Sequence, residues 1–206
     1  MRAVAARVVV GASVVAVAAS TLTASDGRAT ASADDPTTRC RTSERSFAPA
    51  TLAIDGVLPA VRVLRRGRDD AGVPKPPPLT AKGRWQLAWD GASDARPGDP
   101  TGVVRLTAHT YPRRPLHHGR APALGNLLLA HLRPGARIVV RGPDGARLCY
   151  RVTRRQQVRA DASLSGYYDT SGDPRLAILV CSGTRRGPGD WSHRTIWWAR
   201  PTHPAT

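Results

Sequence analysis

Cys181 closes an unbroken apolar run, Leu176 to Val180, and opens a polar stretch, Ser182-Gly183-Thr184-Arg185-Arg186-Gly187. A short apolar run of this kind reads as a strand buried on both faces. A thiol at the end of such a strand is held rigidly and still reaches solvent, which suits a nucleophile. The plainer reading is an inert buried cysteine. His109 has the matching place after Val103 to Ala108. Thiolate is the reactive form of cysteine, so a nucleophilic thiol needs a proton-transfer partner, and histidine is the usual one. Arg194 precedes the last apolar run, Thr195 to Ala199. A strand, loop, strand layout brings it beside Cys181, where a guanidinium can stabilise an oxyanion or hold substrate carbonyls. Each residue alone is one among many of its type. Together they describe thiol-based acyl transfer.

Metal chemistry competes for His and Cys. His117 and His118 are adjacent, and adjacent residues of an extended chain point opposite ways. The sequence holds no CxxC, no HxxxH and no carboxylate-flanked histidine pair, so neither a metal site nor a cofactor is expected.

The elements that must position these residues are short. Thr51 to Ile54 and Ala60 to Leu64 read as strands around a turn at Asp55-Gly56. Arg65 to Gly83, with Lys75-Pro76-Pro77-Pro78, is a loop. Trp85, Leu87 and Trp89 alternate with Gln86 and Ala88, as in a strand with one buried face. Ala92 to Gly102 is a second loop. Tyr111 to Ala121 is a basic loop that holds Arg113 and Arg114. Ala123 to Leu132 is the one expected helix. Arg137 to Arg141 and Arg147 to Thr153 flank Gly142-Pro143-Asp144-Gly145, a hairpin signal. Eight strands with one short helix favour a closed or nearly closed β-barrel over a layered α/β fold.

The formal net charge is +16, and only two of the 31 basic residues, Lys75 and Lys82, are lysines. Such a balance favours anionic partners, although a biased genome composition would also enrich arginine. No basic stretch is interleaved with aromatics, so a nucleic-acid module is not expected. Arg2 and Arg7 precede the uncharged run Val8 to Ser25, which predicts export through a signal peptide or membrane anchor over residues 1–25. Residues 26–46 read as a polar linker, and residues 47–202 as the folded domain.

Three stretches, in this order, resemble the sortases, most closely the actinobacterial class F type. GVVRLTAHTYP is similar to the strand that delivers the family's histidine. ALGNLLLAHLRPGARIVVRGPDGARLCYRVT is similar to its following helix and hairpin. LAILVCSGTR and HRTIWWA are similar to its nucleophile and arginine strands. The resemblance runs from Phe47 to Pro201. It implies an eight-stranded sortase-type β-barrel with His109, Cys181 and Arg194 as catalytic residues. It also implies cleavage of an LPXTG-like sorting signal and transfer of the acyl group to an amine. The implied partners are sorting-signal-bearing surface proteins and a cell-wall precursor or other amine acceptor, at the outer face of the membrane.

Substrate contacts are expected from Val180 and Ser182 beside the nucleophile and from Arg113 and Arg114. Two departures stand out. Val180 replaces a threonine common before the nucleophile, and Ala108-His109-Thr110-Tyr111 replaces a Gly-His-Val-Asp-like sequence. A different class of function is a non-catalytic exported barrel that binds anionic wall polymers.

The three cysteines are Cys40, Cys149 and Cys181. In an exported chain an odd count suggests one pair and one free thiol. If Cys181 stays free as nucleophile, Cys40 and Cys149 remain to pair. Strand alternation sets Cys149 with Arg147 and Arg151 on an outward face. The other arrangement leaves Cys40 free in the linker and Cys149 packed against a neighbouring strand.

Overall fold

The computed structural model describes residues 40, 45–112 and 121–202. The expected leader, most of the linker, and Arg113, Arg114, His117 and His118 lie outside the described residues. Among the described residues, no helix is long and apolar enough to cross a membrane.

Alternating apolar residues, and in β3, β4 and β7 near-continuous buried runs, generate the strands. They are β1 (Thr51–Ile54), β2 (Leu58–Arg66), β3 (Leu87–Asp90), β4 (Val103–Ala108), β5 (Arg137–Arg141), β6 (Arg147–Arg159), β7 (Arg175–Gly187) and β8 (Asp190–Pro201). One helix, α1 (Leu124–His131), lies between β4 and β5. The strands close into a barrel in the order β1-β2-β3-β4-β7-β8-β6-β5. β2 pairs with β3, and β4 with β7, in parallel; the other pairs are antiparallel. This is the eight-stranded barrel with one short helix that the sequence predicts.

Every second residue of the central strands points inward. Val104, Leu106 and Ala108 meet Leu176, Ile178 and Val180 across the β4–β7 ladder. α1 closes the barrel with Leu124 and Leu128, each fully buried. It carries no side-chain cap at its N-terminus. A helix this short is held by its apolar face, because isolated helices of two turns are unstable in water. Trp197 donates its indole N–H to the Leu132 carbonyl at 3.1 Å and ties α1 to β8.

The outer face of β4, β7 and β8 is covered as well. Val103, Ala177, Ile196 and Trp198 pack under Tyr167, with Leu164 and Leu179 beside them. Tyr167 and Leu164 belong to the connection between β6 and β7. Double coverage is why Leu176 to Val180 reads as one apolar run.

Three expectations need correction. Trp85 is not part of β3: it ends a 3-10 turn, Gly83–Trp85, and is 39% exposed. β3 itself is buried along its whole length, not on one face. β6, β7 and β8 run well past their expected ends, so Cys181 lies inside β7 rather than at its end.

Cys149 does lie on the outer face of β6, yet it is fully buried. Cys40 and Val139 cover it, and the structure joins Cys40 to Cys149 with their Cα atoms 5.0 Å apart. A bond across 109 residues of sequence constrains the unfolded chain strongly. The expected result is a linked Cys40–Cys149 peptide in a non-reduced digest. Cys40→Ser should lower the unfolding free energy by about 4–5 kcal/mol in the chain-entropy picture. Two free thiols at these positions would rule the bond out.

Candidate functional site

β4 is shorter than its neighbour. Its last pair with β7 is Ala108↔Val180, so β7 loses a partner just where Cys181 begins. That gap opens one edge of the strand beside a thiol still held by β8 on its other edge. Cys181 is half-buried and, among the described cysteines, the free thiol. Its direct partner on β8 is Arg194. Residues directly opposite on antiparallel strands project to the same face. Burial pushes the Cys181 thiol above the ordinary cysteine range, and the Arg194 guanidinium draws it partly back. Arg194 is steadied by its own hairpin through hydrogen bonds to the carbonyls of His193 at 3.2 Å and Trp191 at 3.4 Å.

His109 follows the last β4 residue and so comes alongside Cys181. Its Nε2 lies 2.6 Å from the Pro77 carbonyl. A carbonyl only accepts, so Nε2 is the protonated nitrogen in this contact. Nδ1 is then the nitrogen free to take or give a proton.

The first turn of α1 fixes this segment. Gly125 donates its N–H to the His109 carbonyl at 2.8 Å. Asn126 grips Tyr111 twice, accepting from its N–H and donating to its carbonyl, both at 2.9 Å. A Cβ on residue 125 would meet the His109 carbonyl oxygen at 2.5 Å, so only glycine permits this approach. Thr110 then donates its hydroxyl to the Cys181 carbonyl at 2.7 Å. That bond replaces the ladder contact β4 no longer makes and ties the histidine segment to the cysteine strand.

A groove of about 350 Å³ runs along the same outer face. Its floor includes Thr107, Leu179 and Arg194, and its walls include Leu164, Tyr167 and Tyr168 on one side and Val73 and Pro74 on the other. Cys181 stands two residues beyond Leu179 on the same face, at the head of this groove. Val73 and Pro74 belong to the proline-rich loop that also supplies the Pro77 carbonyl.

The structure therefore brings His109, Cys181 and Arg194 to one place. It turns Val180 and Ser182 away from it. Val180 is packed in the barrel core, and Ser182 accepts from Thr195 at 2.9 Å and from Gln157 at 3.4 Å. Their side chains do not line the groove, because alternate residues of β7 face opposite sides. His193 pairs with Ser182 and bonds to Ser192 at 2.8 Å. Arg113 and Arg114 lie outside the described residues. Sequence reasoning passed over Thr110, Gly125, Asn126 and Pro77. The Gly-Asn pair just inside the start of a leucine-rich helix was the available signal, since neither residue favours helix. Among the described residues, no cluster of three or more metal-ligating side chains occurs.

The sequence matches no family model and no curated protein. Solved structures do match in fold. Sortase C1 of Streptococcus agalactiae is 14% identical, with a TM-score of 0.51 over 74% of this chain and 66% of that one. Sortase A of Corynebacterium diphtheriae is 16% identical, with a TM-score of 0.50 over 77% of this chain and 62% of that one. Sortase C-1 of Actinomyces oris is 17% identical, with a TM-score of 0.51 over 76% of each chain. The chain thus spans a little under two thirds of the first two structures. At these identities the likeness is one of fold: an eight-stranded sortase-type barrel.

Proposed function

We propose that this chain is a surface cysteine transpeptidase of the sortase kind. The observation that carries the reading is the direct cross-strand pairing of a free thiol, Cys181, with Arg194, a groove residue, while His109 follows the last β4 residue paired with β7. In this reading Cys181 attacks the scissile carbonyl as thiolate. Arg194 and backbone N–H groups stabilise the tetrahedral oxyanion. His109 gives a proton from Nδ1 to the departing amine, which leaves an acyl thioester on Cys181. An incoming amine, or water, then attacks the thioester while Nδ1 takes a proton back. Collapse of the second tetrahedral intermediate expels the Cys181 sulfur as thiolate beside the re-protonated His109, which restores the starting pair.

The substrate is an LPXTG-like sorting signal on a surface protein, and the acceptor is an amine of a cell-wall precursor or another surface chain. The groove supports an extended peptide: it has apolar walls and an arginine for backbone carbonyls. In this reading Arg113 and Arg114 contribute substrate contacts. The class F assignment, an exported domain over residues 47–202, and anchoring by residues 1–25 belong to the same reading.

A peptidyl electrophile ending in Leu-Pro-Ala-Thr tests it. Mass spectrometry should find one adduct, on Cys181. With an LPXTG-type peptide and an amine, capped product should outweigh hydrolysed product. Labelling spread over all accessible thiols, with no cleavage of such peptides, would leave the groove without this chemistry. Predominant hydrolysis would instead make the chain a cysteine hydrolase.

A further inference from the structure

β8 carries Arg194 towards one end and Arg200 at the other, about 20 Å apart at the strand rise. Around Arg200 the outer face holds a second cavity of about 350 Å³, lined by Thr153, Arg154, Arg175, Trp198 and Arg200. β8 lies between β6 and β7. Arg154 of β6 is the direct partner of Trp198, and Arg175 reaches the same indole from β7. Their guanidinium carbons lie 5.1 Å and 5.3 Å from its ring centre. Each cation is attracted to the indole, but the two repel one another. Trp198 is itself fixed, 2% exposed and donating Nε1–H to Gln156 at 3.0 Å. The arginines are therefore held in place before any ligand arrives.

Their positive charge is incompletely neutralised. Arg175 pairs with Asp169 at 3.0 Å, and its Nε is buried without an acceptor. Arg200 meets Asp173 at 3.4 Å, with both side chains mostly exposed, a pair that is easily displaced. Among the described residues no carboxylate pairs with Arg154. Arg151 stands directly opposite Arg200, and like charges in that position destabilise a sheet. Its guanidinium is directed to the Gly135 carbonyl at 3.0 Å. Three guanidinium forks thus converge on one cavity with an excess of positive charge, while the Thr153 hydroxyl on its wall donates to the Trp198 carbonyl at 3.1 Å.

We propose that this cavity is an anion site for a phosphate-bearing ligand. A carboxylate has two oxygens and satisfies one fork. A phosphate presents three or four acceptors and suits several arginines at once. The site is remote from the thiol, and the proposal does not depend on the role of Cys181.

The test uses the full chain, labelled with 15N and titrated with inorganic phosphate at constant ionic strength. The Trp198 indole N–H, assigned by its loss in Trp198→Phe, should shift saturably while the Trp89 and Trp197 signals stay fixed. Arg154→Gln and Arg200→Gln should each weaken binding at least tenfold. Arg185→Gln removes the same charge elsewhere on the barrel and should leave binding unchanged. Two further arms identify the source of the phosphate: a linear polyglycerol phosphate and phosphatidylglycerol vesicles. Whichever saturates Trp198 at the lower phosphate concentration is the preferred ligand, and inorganic phosphate is the ligand if neither improves on it. A shift that never saturates, an equal shift with chloride, or an equal loss in Arg185→Gln would overturn the proposal.

Discussion

Cys181→Ala will abolish peptide cleavage and transfer, by at least about 10⁴-fold, while the thermal unfolding midpoint stays where it is. The two halves rest on different observations. Activity is lost because, among the described cysteines, Cys181 is the free thiol. Stability is kept because Cys181 is half-buried on the outer face of β7, outside the barrel core. Its backbone bonds to β8 and to the Thr110 hydroxyl do not use the thiol.

The pH dependence adds a sharper check. Burial raises the Cys181 thiol and Arg194 offsets part of that rise. Alkylation by a small uncharged reagent should therefore reach half its plateau rate above the pH seen for free cysteine. In Arg194→Gln the offset is gone, so the midpoint should move still higher, and the neutral-pH rate should fall. Full peptide turnover in Cys181→Ala, or a midpoint that drops in Arg194→Gln, would defeat the nucleophile assignment.

The parts of the barrel that were legible in sequence are those built on alternating apolar residues. β1, β4 and β5 begin and end where the pattern does. The far halves of β6 and β7 were not legible. Arg154 to Arg159, with Val158 as its one apolar residue, and Ser182 to Gly187 lack an apolar face and look like loops. They are strands because β8 lies between them and pairs with both, so each ladder supports the other. Tertiary pairing overrides local propensity here. The same pairing sets Arg194 opposite Cys181, a relation that sequence separation alone could only allow. Trp85 was misread for the opposite reason. It keeps the strand's spacing, but Gly83 packs tightly against the Pro78 carbonyl and bends the chain before the strand starts. The histidine clamp was hidden because its bonds run through backbone carbonyls, which every residue has.

Asp90→Asn will destabilise the domain by about 3–5 kcal/mol. Asp90 is the last residue of β3 and 1% exposed. It accepts from Arg105 on β4 at 2.9 Å, and from Arg68 on the loop after β2 through Nη2 at 2.8 Å and Nε at 3.1 Å. Arg105 is itself 1% exposed, and its Nη1 donates to the Tyr167 carbonyl at 3.3 Å. The carboxylate therefore joins β3, β4, the proline-rich loop and the groove wall. Burial works to raise the Asp90 carboxyl, but the hydrogen bonds and charges of Arg68 and Arg105 prevail and hold it below its ordinary value of 3.8. An amide in its place removes the negative charge and leaves Arg105 buried as an uncompensated cation, which is the costly half of breaking such a pair. The sign of the pH dependence follows. A depressed carboxyl stabilises the fold above its unfolded pKa and loses that contribution as pH falls through the folded one. The gap between wild type and Asp90→Asn should stay wide at neutral pH and close on acidification below about pH 4. Denaturant unfolding of both proteins across that range measures it. The double variant Asp90→Leu with Arg105→Met should recover much of the loss, because an apolar pair of similar volume carries no desolvation penalty. A neutral-pH loss under about 1 kcal/mol for Asp90→Asn would show that the buried pair does not hold the groove wall to the barrel.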